Sequence, residues 1–209
     1  MESGDRSLVK TFPQGVLLAV VDGLGHGHEA AIAAQAAIAT LEENAHESVV
    51  TLVERCHRDL RPTRGAVMSL AALSHTAEAV PEPGGPLVRP VAAQRALESS
   101  NGPQATMTWL GVGDVEGVLL RADRFAGKEC LLSRGGVVGY QLPTLRLTRL
   151  PVGRGDLVIF TTDGIHGDFI EKVRAGDSPQ QIADAILIRC NRGTDDALVL
   201  VARYVGPAP

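Results

Sequence analysis

Apolar residues fall in short, bounded runs along this chain. Gly15 to Val21 is continuously apolar, partly β-branched and stops at Asp22, which predicts a buried strand. The Ala-rich stretch from Glu29 to about Glu43 lacks Gly and Pro, and predicts a helix able to lie close against a sheet. Val50, Leu52, Val53, Cys56 and Leu60 recur at helical spacing, so a second helix is expected from about Glu47 to Asp59, stopped by Pro62. Ala66 to Leu73 reads as the next strand. Thr106 to Val112, Val115 to Arg121, Lys128 to Leu132, Leu145 to Leu150 and Asp156 to Thr162 follow, each punctuated by Gly, Pro or Asp. Ser178 and Pro179 stand as N-cap and first residue of a helix ending at Cys190. Ala197 to Tyr204 closes the pattern as a strand, and residues 206–209 form a tail. No internal repeat is present. Strands around two helical clusters imply an α+β fold with mostly antiparallel sheets.

One stretch breaks the pattern. His75 to Gln104 holds Pro81, Pro83, Pro86, Pro90 and Pro103 with Gly84, Gly85 and Gly102. It is long for a loop and reads as an insertion between two strands, with one helical turn near Val91 to Glu98. The 209 residues suit one domain, expected over residues 1–205.

Composition narrows the function. Lys plus Arg total 20 against 24 Asp plus Glu, a net charge of -4, so no nucleic-acid partner is expected. Cys56, Cys130 and Cys190 are odd in number and far apart, which fits neither a disulfide framework nor a thiolate zinc site. They read as small hydrophobes in a reducing compartment. The polar start and the absence of an apolar run of about 18 residues leave no signal peptide or membrane span in the pattern. A soluble cytoplasmic protein is the expectation.

The acidic residues carry the chemistry. Asp5 follows Ser3-Gly4. Asp22 ends an apolar run and precedes Gly23. Asp163 ends another and precedes Gly164. Asp195 and Asp196 stand just before the last strand. An Asp-Gly pair after a strand is a common turn, so one alone signifies little. Several such carboxylates can converge on hard divalent cations, which take oxygen ligands, and glycine lets a carbonyl or water approach. Two such ions can activate water and clamp a phosphoryl oxygen.

These residues resemble a known family. Ser3-Gly4-Asp5, Asp22 to Gly27, Thr63 to Ala66, Gly111-Val112-Gly113, Arg134-Gly135-Gly136, Thr162-Asp163-Gly164 and Asp195-Asp196 occur in the order found in the SpoIIE-like branch of the protein phosphatase 2C superfamily. Stand-alone RsbX-like serine phosphatases of bacterial stress signalling are the nearest match. The resemblance implies two packed antiparallel sheets flanked by helices, with two Mn²⁺ or Mg²⁺ ions at one end. It implies that Asp22 bridges both ions, that the Gly23 carbonyl ligates one, that Asp163 and Asp195 complete one shell and that Asp5 serves the other. A metal-bridging hydroxide would attack phosphoserine or phosphothreonine in line, with no covalent enzyme intermediate.

Several neighbours have smaller expected roles. Asp196 is expected to act behind a ligand. His26 and His166 are read as residues at the edge of substrate or site, and His26 could protonate a leaving group. Eukaryotic members carry His directly after the Asp-Gly pair, whereas Leu24 stands here. Arg64 and Arg134 precede glycines and could contact phosphate, although surface ion pairing is the simpler role. Only four residues precede Asp5, so the first edge strand is expected to be missing or to lie upstream.

The leading reading is a metal-dependent serine/threonine protein phosphatase. Its implied substrates are phosphorylated regulators of a partner-switching or stressosome pathway. A catalytically weak or silent phosphatase-like module that binds a signalling partner is the alternative. A hydrolase of small phosphoesters is a third. The retained acid set separates the first from the second, and the shape of the pocket separates the first from the third.

Overall fold

The computed structural model describes residues 2–74, 105–122, 127–174 and 176–206. The expected insertion at 75–104, with its helical turn, and the last residues of the tail lie outside them.

Two antiparallel sheets pack face to face. The first has the order β1 (Asp5–Phe12), β2 (Gly15–Gly23), β3 (Ala66–Ser74), β4 (Ala105–Val112) and β7 (Thr148–Val152). The second has the order β6 (Lys128–Leu131), β5 (Glu116–Leu120), β8 (Leu157–Thr161) and β9 (Val199–Arg203). Helices α1 (His28–Glu43) and α2 (Val49–Asp59) cover the outer face of the first sheet. Helix α3 (Pro179–Cys190) and a 3-10 turn, Phe169–Lys172, cover the outer face of the second. The expected α+β sandwich is therefore present.

The continuous apolar run of β2 has a direct cause. Leu17, Ala19 and Val21 face α1 and α2, while Leu18 and Val20 face the second sheet, so both faces are buried. Strand β8 behaves alike, with Val158 and Phe160 inward and Leu157 and Ile159 toward α3. Small side chains let α1 lie close, for Ala30, Ala33, Ala34 and Ala37 are all fully buried. Ser178 caps α3 in a full capping box with Gln181 and with Pro179 in the first turn.

One strand was not foreseen. β1 runs Asp5–Phe12 as the edge of the five-stranded sheet, paired along its whole length with β2. β1 starts at Asp5, after Ser3-Gly4, whereas the edge strand expected to be missing or upstream would precede that segment, so β1 is a further strand beside the expected set. The four-stranded sheet does not cover β1 as it covers β2, and Val9 is 58% exposed. Half of the strand therefore reads as polar surface. β7 is displaced from the expected Leu145–Leu150 and contains Pro151, which an edge strand tolerates.

Trp109 is fully buried between the sheets. Trp109→Ala should cost about 3–5 kcal/mol in urea unfolding, because the packed sheets cannot collapse into the space.

Candidate active site

Register brings the strand-end acids together. Asp5 begins β1 and lies directly across from Asp22, which is paired on its other side with Val67 at the start of β3. The end of β4 leads through Gly113 to Asp114. From the second sheet, Asp163 follows β8, and Asp195 and Asp196 precede β9. Asp5, Asp22, Asp114, Asp163, Asp195 and Asp196 line one cleft of about 1110 Å³. Its remaining walls include Leu24, His26, Gly135, Gly136, Val137 and Thr194.

Hydrogen bonds clasp the two sheets at this cleft. The Thr162 hydroxyl donates to Asp5 Oδ2 at 2.7 Å and accepts from the Leu198 N–H at 2.8 Å. The Asp196 Oδ2 accepts from the Gly4 N–H at 2.6 Å. Asp195 Oδ1 accepts from the Asp196 N–H at 2.8 Å. Asp5 is 5% exposed, its carboxylate is held by Thr162, and the preceding Gly4 is held by Asp196, so the segment is tied down despite its place near the terminus. Asp196 holds the backbone at Gly4 in place.

Two glycines make the convergence sterically feasible. A Cβ on Gly23 would stand 2.0 Å from the Ala30 carbonyl oxygen of α1. A Cβ on Gly164 would stand 2.0 Å from the Asp196 carbonyl oxygen. Any side chain at either place would push a carboxylate-bearing segment out of position.

The electrostatics are those of a site awaiting positive charge. Among the described residues none of the six carboxylates forms an ion pair. Burial, then the Asp5 carboxylate, then Asp163, Asp114 and Asp195 push the Asp22 carboxyl up to about 8. Burial raises Asp5 to about 6 against the pull of the Thr162 hydroxyl, with Asp196, Asp163 and Asp195 adding to the rise. Asp163 is raised by desolvation and then by Asp114 and Asp195, while Arg192 and the Gly164 N–H oppose. An all-oxygen donor set with unrelieved repulsion fits a hard divalent cation. In their present rotamers no three acidic, His or Cys side chains among the described residues close on a single point.

Other expected residues stand differently. His26 lines the cleft. Arg64 does not line it and pairs with Glu29 at the surface. His166 is exposed and outside the lining, with its N–H bonded to the Cys190 carbonyl. Arg134 is exposed, and its backbone bridges to the end of β4. Asp114 was not singled out from sequence, although it follows Gly113 at a strand end, the same signal that marked the other acids.

Comparison with known proteins defines the class. The sandwich is that of the phosphatase 2C-type phosphatases, a likeness of fold that includes the serine/threonine phosphatase PstP/Ppp of Mycobacterium tuberculosis: 16% identity, 98% of this chain, 93% of that one, TM-score 0.64. RsbX in complex with magnesium shares 21% identity over 96% of this chain and 86% of that one, with a TM-score of 0.72. A chain of the bacterial stressosome, described as a modular system adapted to control secondary messenger signalling, shares 29% identity over 97% of this chain and 92% of that one, with a TM-score of 0.76. No curated protein matches the sequence. The model of the family Stage II sporulation protein E (SpoIIE) matches residues 13–205, and the chain belongs to that family. Asp22, Gly23, Asp163 and Asp195 fall inside the matched span, and Asp5 lies before it.

The raised carboxyls imply a pH signature. A carboxyl with a raised folded pKa binds its proton more tightly folded than unfolded, so stability falls as pH rises between the two values. For Asp22 that window runs from 3.8 to about 8, and for Asp5 from 3.8 to about 6. In EDTA, the melting temperature of wild type should fall more steeply from pH 5 to pH 8 than that of Asp22→Asn. Mg²⁺ should raise it more at pH 8 than at pH 5, because the ion needs ionised ligands. Parallel melting curves for the two proteins would contradict this electrostatic account.

Proposed function

We propose that this chain is a metal-dependent serine/threonine protein phosphatase, with residues 1–205 as one phosphatase unit. Its substrates are phosphorylated regulators of a partner-switching or stressosome-type pathway in the bacterial cytoplasm. The observation that carries this reading is the set of carboxylates at the strand ends of both sheets, in one cleft, without a cationic partner among the described residues.

In this reading Asp22, the Gly23 carbonyl, Asp163, Asp195 and Asp5 hold two Mn²⁺ or Mg²⁺ ions. When bound, the ions supply positive charge to the phosphate and lower the pKa of the attacking water. The chain's own residues do the positioning. Thr162 orients Asp5, and Asp196 fixes Gly4 and with it the start of β1. In this reading His26, which lines the cleft, gives a proton to the departing serine oxygen. The open cleft, bordered by both sheets, favours a protein substrate over a small phosphoester.

One observation favours the silent binding module. No three potential ligands among the described residues are already gathered on a point.

Hydrolysis of p-nitrophenyl phosphate and of a phosphoserine protein, with Mn²⁺ or EDTA, separates the readings. Turnover should require Mn²⁺ and vanish in Asp22→Asn. A folded protein that is inert in both Mn²⁺ and Mg²⁺ would reject the enzyme in favour of the binding module. Thr162→Val should retain the fold yet lose roughly 10–100-fold in metal affinity or activity, as outer hydrogen-bond partners of ligands do.

A further inference from the structure

One wall of the cleft is Gly135, Gly136 and Val137, part of the connection from β6 to β7. It is strung between two anchors. On the β4 side, the Ser133 hydroxyl donates to the Gly113 carbonyl at 2.6 Å, and Arg134 exchanges backbone bonds with Gly111 and Gly113. On the other side, Val138 exchanges two 2.9 Å backbone bonds with Ala66 at the start of β3. Val137 and Gln141 close a tight turn on each other, at 2.9 and 2.8 Å.

Gly139 sits inside this turn at φ +100°, where a Cβ would stand 2.8 Å from Leu60 Cβ. Its N–H donates to His57 Nδ1 at 2.9 Å, across 82 residues of sequence. The acceptor role requires a neutral ring with its proton on Nε2. Among the described residues His57 is the one side chain of α2 that hydrogen-bonds this turn. The next residue, Tyr140, is 83% exposed at the apex. Its N–H donates to the carbonyl of the cleft-lining Val137 at 3.2 Å, so the exposed ring stands on the turn that borders the cleft and has no packing role in the core.

We propose that His57 is a positioning residue for a phosphorylated polypeptide: by holding Gly139 it sets the turn from Val137 to Gln141 at the edge of the cleft, and with it Tyr140, along which the chain flanking the phosphoserine lies. The inference rests on the phosphatase reading above. The carboxylates read above as holding the ions stand on β1 and β2, just after β8 and in the turn before β9, and His57 bonds to none of these. Losing its bond therefore loosens that turn, while the Ser133, Arg134 and Val138 bonds still hold Gly135 to Val137 and the ion-holding groups stay in place. A small ester needs only those groups, whereas a polypeptide also needs the turn.

Steady-state kinetics with p-nitrophenyl phosphate and with a phosphoserine peptide, in saturating Mn²⁺, test the assignment. His57→Leu should raise KM for the peptide roughly 3- to 10-fold, the size of one hydrogen bond, with kcat and ester hydrolysis unchanged. His57→Asn puts Oδ1 near the place of Nδ1 and should restore KM. Amide exchange at Gly139 should quicken in the Leu variant and not in the Asn variant. If His57→Leu does not fold, Tyr140→Ala at the exposed apex should raise peptide KM alone. Equal losses on both substrates, failure of Asn to restore, or an unchanged peptide KM in an active enzyme would overturn the positioning role by itself. A wild type inert toward both substrates would overturn the phosphatase reading and this role with it.

Discussion

Repulsion among carboxylates that the fold holds in one cleft is the constraint around which the rest of the structure is arranged. Two like charges about 4 Å apart near a protein surface repel by about 4 kcal/mol, so such groups do not gather unless backbone geometry places them. Here the register of β1 against β2 sets Asp5 across from Asp22, and the ends of β8 and β9 supply the others. The chain provides no ion pair for any of them among the described residues, so part of the folding free energy is held against the site. That is the arrangement expected where a divalent cation completes the structure as well as the chemistry.

The bonds between the sheets at this end are few and polar. Thr162 links Asp5 to Leu198, and Asp196 holds Gly4. Between the sheets the contact is apolar, built on Trp109, Phe160 and their neighbours, side chains that carry no charge. The division lets the sandwich stay packed while the carboxylates change protonation or partners. The turn held by His57 is separate again, since Gly139 hangs from α2 and the wall beside it from β3 and β4.

Much of the fold was legible because its strands are buried on both faces and read as continuous apolar runs. β2 and β8 are the clearest cases. The helices were equally legible, from the alanines of α1 and from Ser178 and Pro179 at the start of α3. β1 was not, because an edge strand with one face open to water carries Arg6, Ser7 and Lys10 among its apolar positions. The boundaries of β7 were blurred by Pro151, which only an edge can accommodate.

The same split runs through the site. Sequence by itself determined that Asp22, Asp163, Asp195 and Asp196 stand at strand ends beside turns and that Asp5 follows a Ser-Gly pair, because that follows from local pattern. Only the tertiary structure decided which side chains meet. It added Asp114, Thr162 and the wall at Gly135 to Val137, and placed Arg64 in a surface pair with Glu29 and His166 outside the cleft. The physical reason is that strand ends are local properties of the chain, whereas adjacency in the cleft depends on sheet order and register. Those are fixed by pairing and packing between segments as far apart as Asp5 and Thr162, whose 157-residue separation leaves no trace in any local pattern.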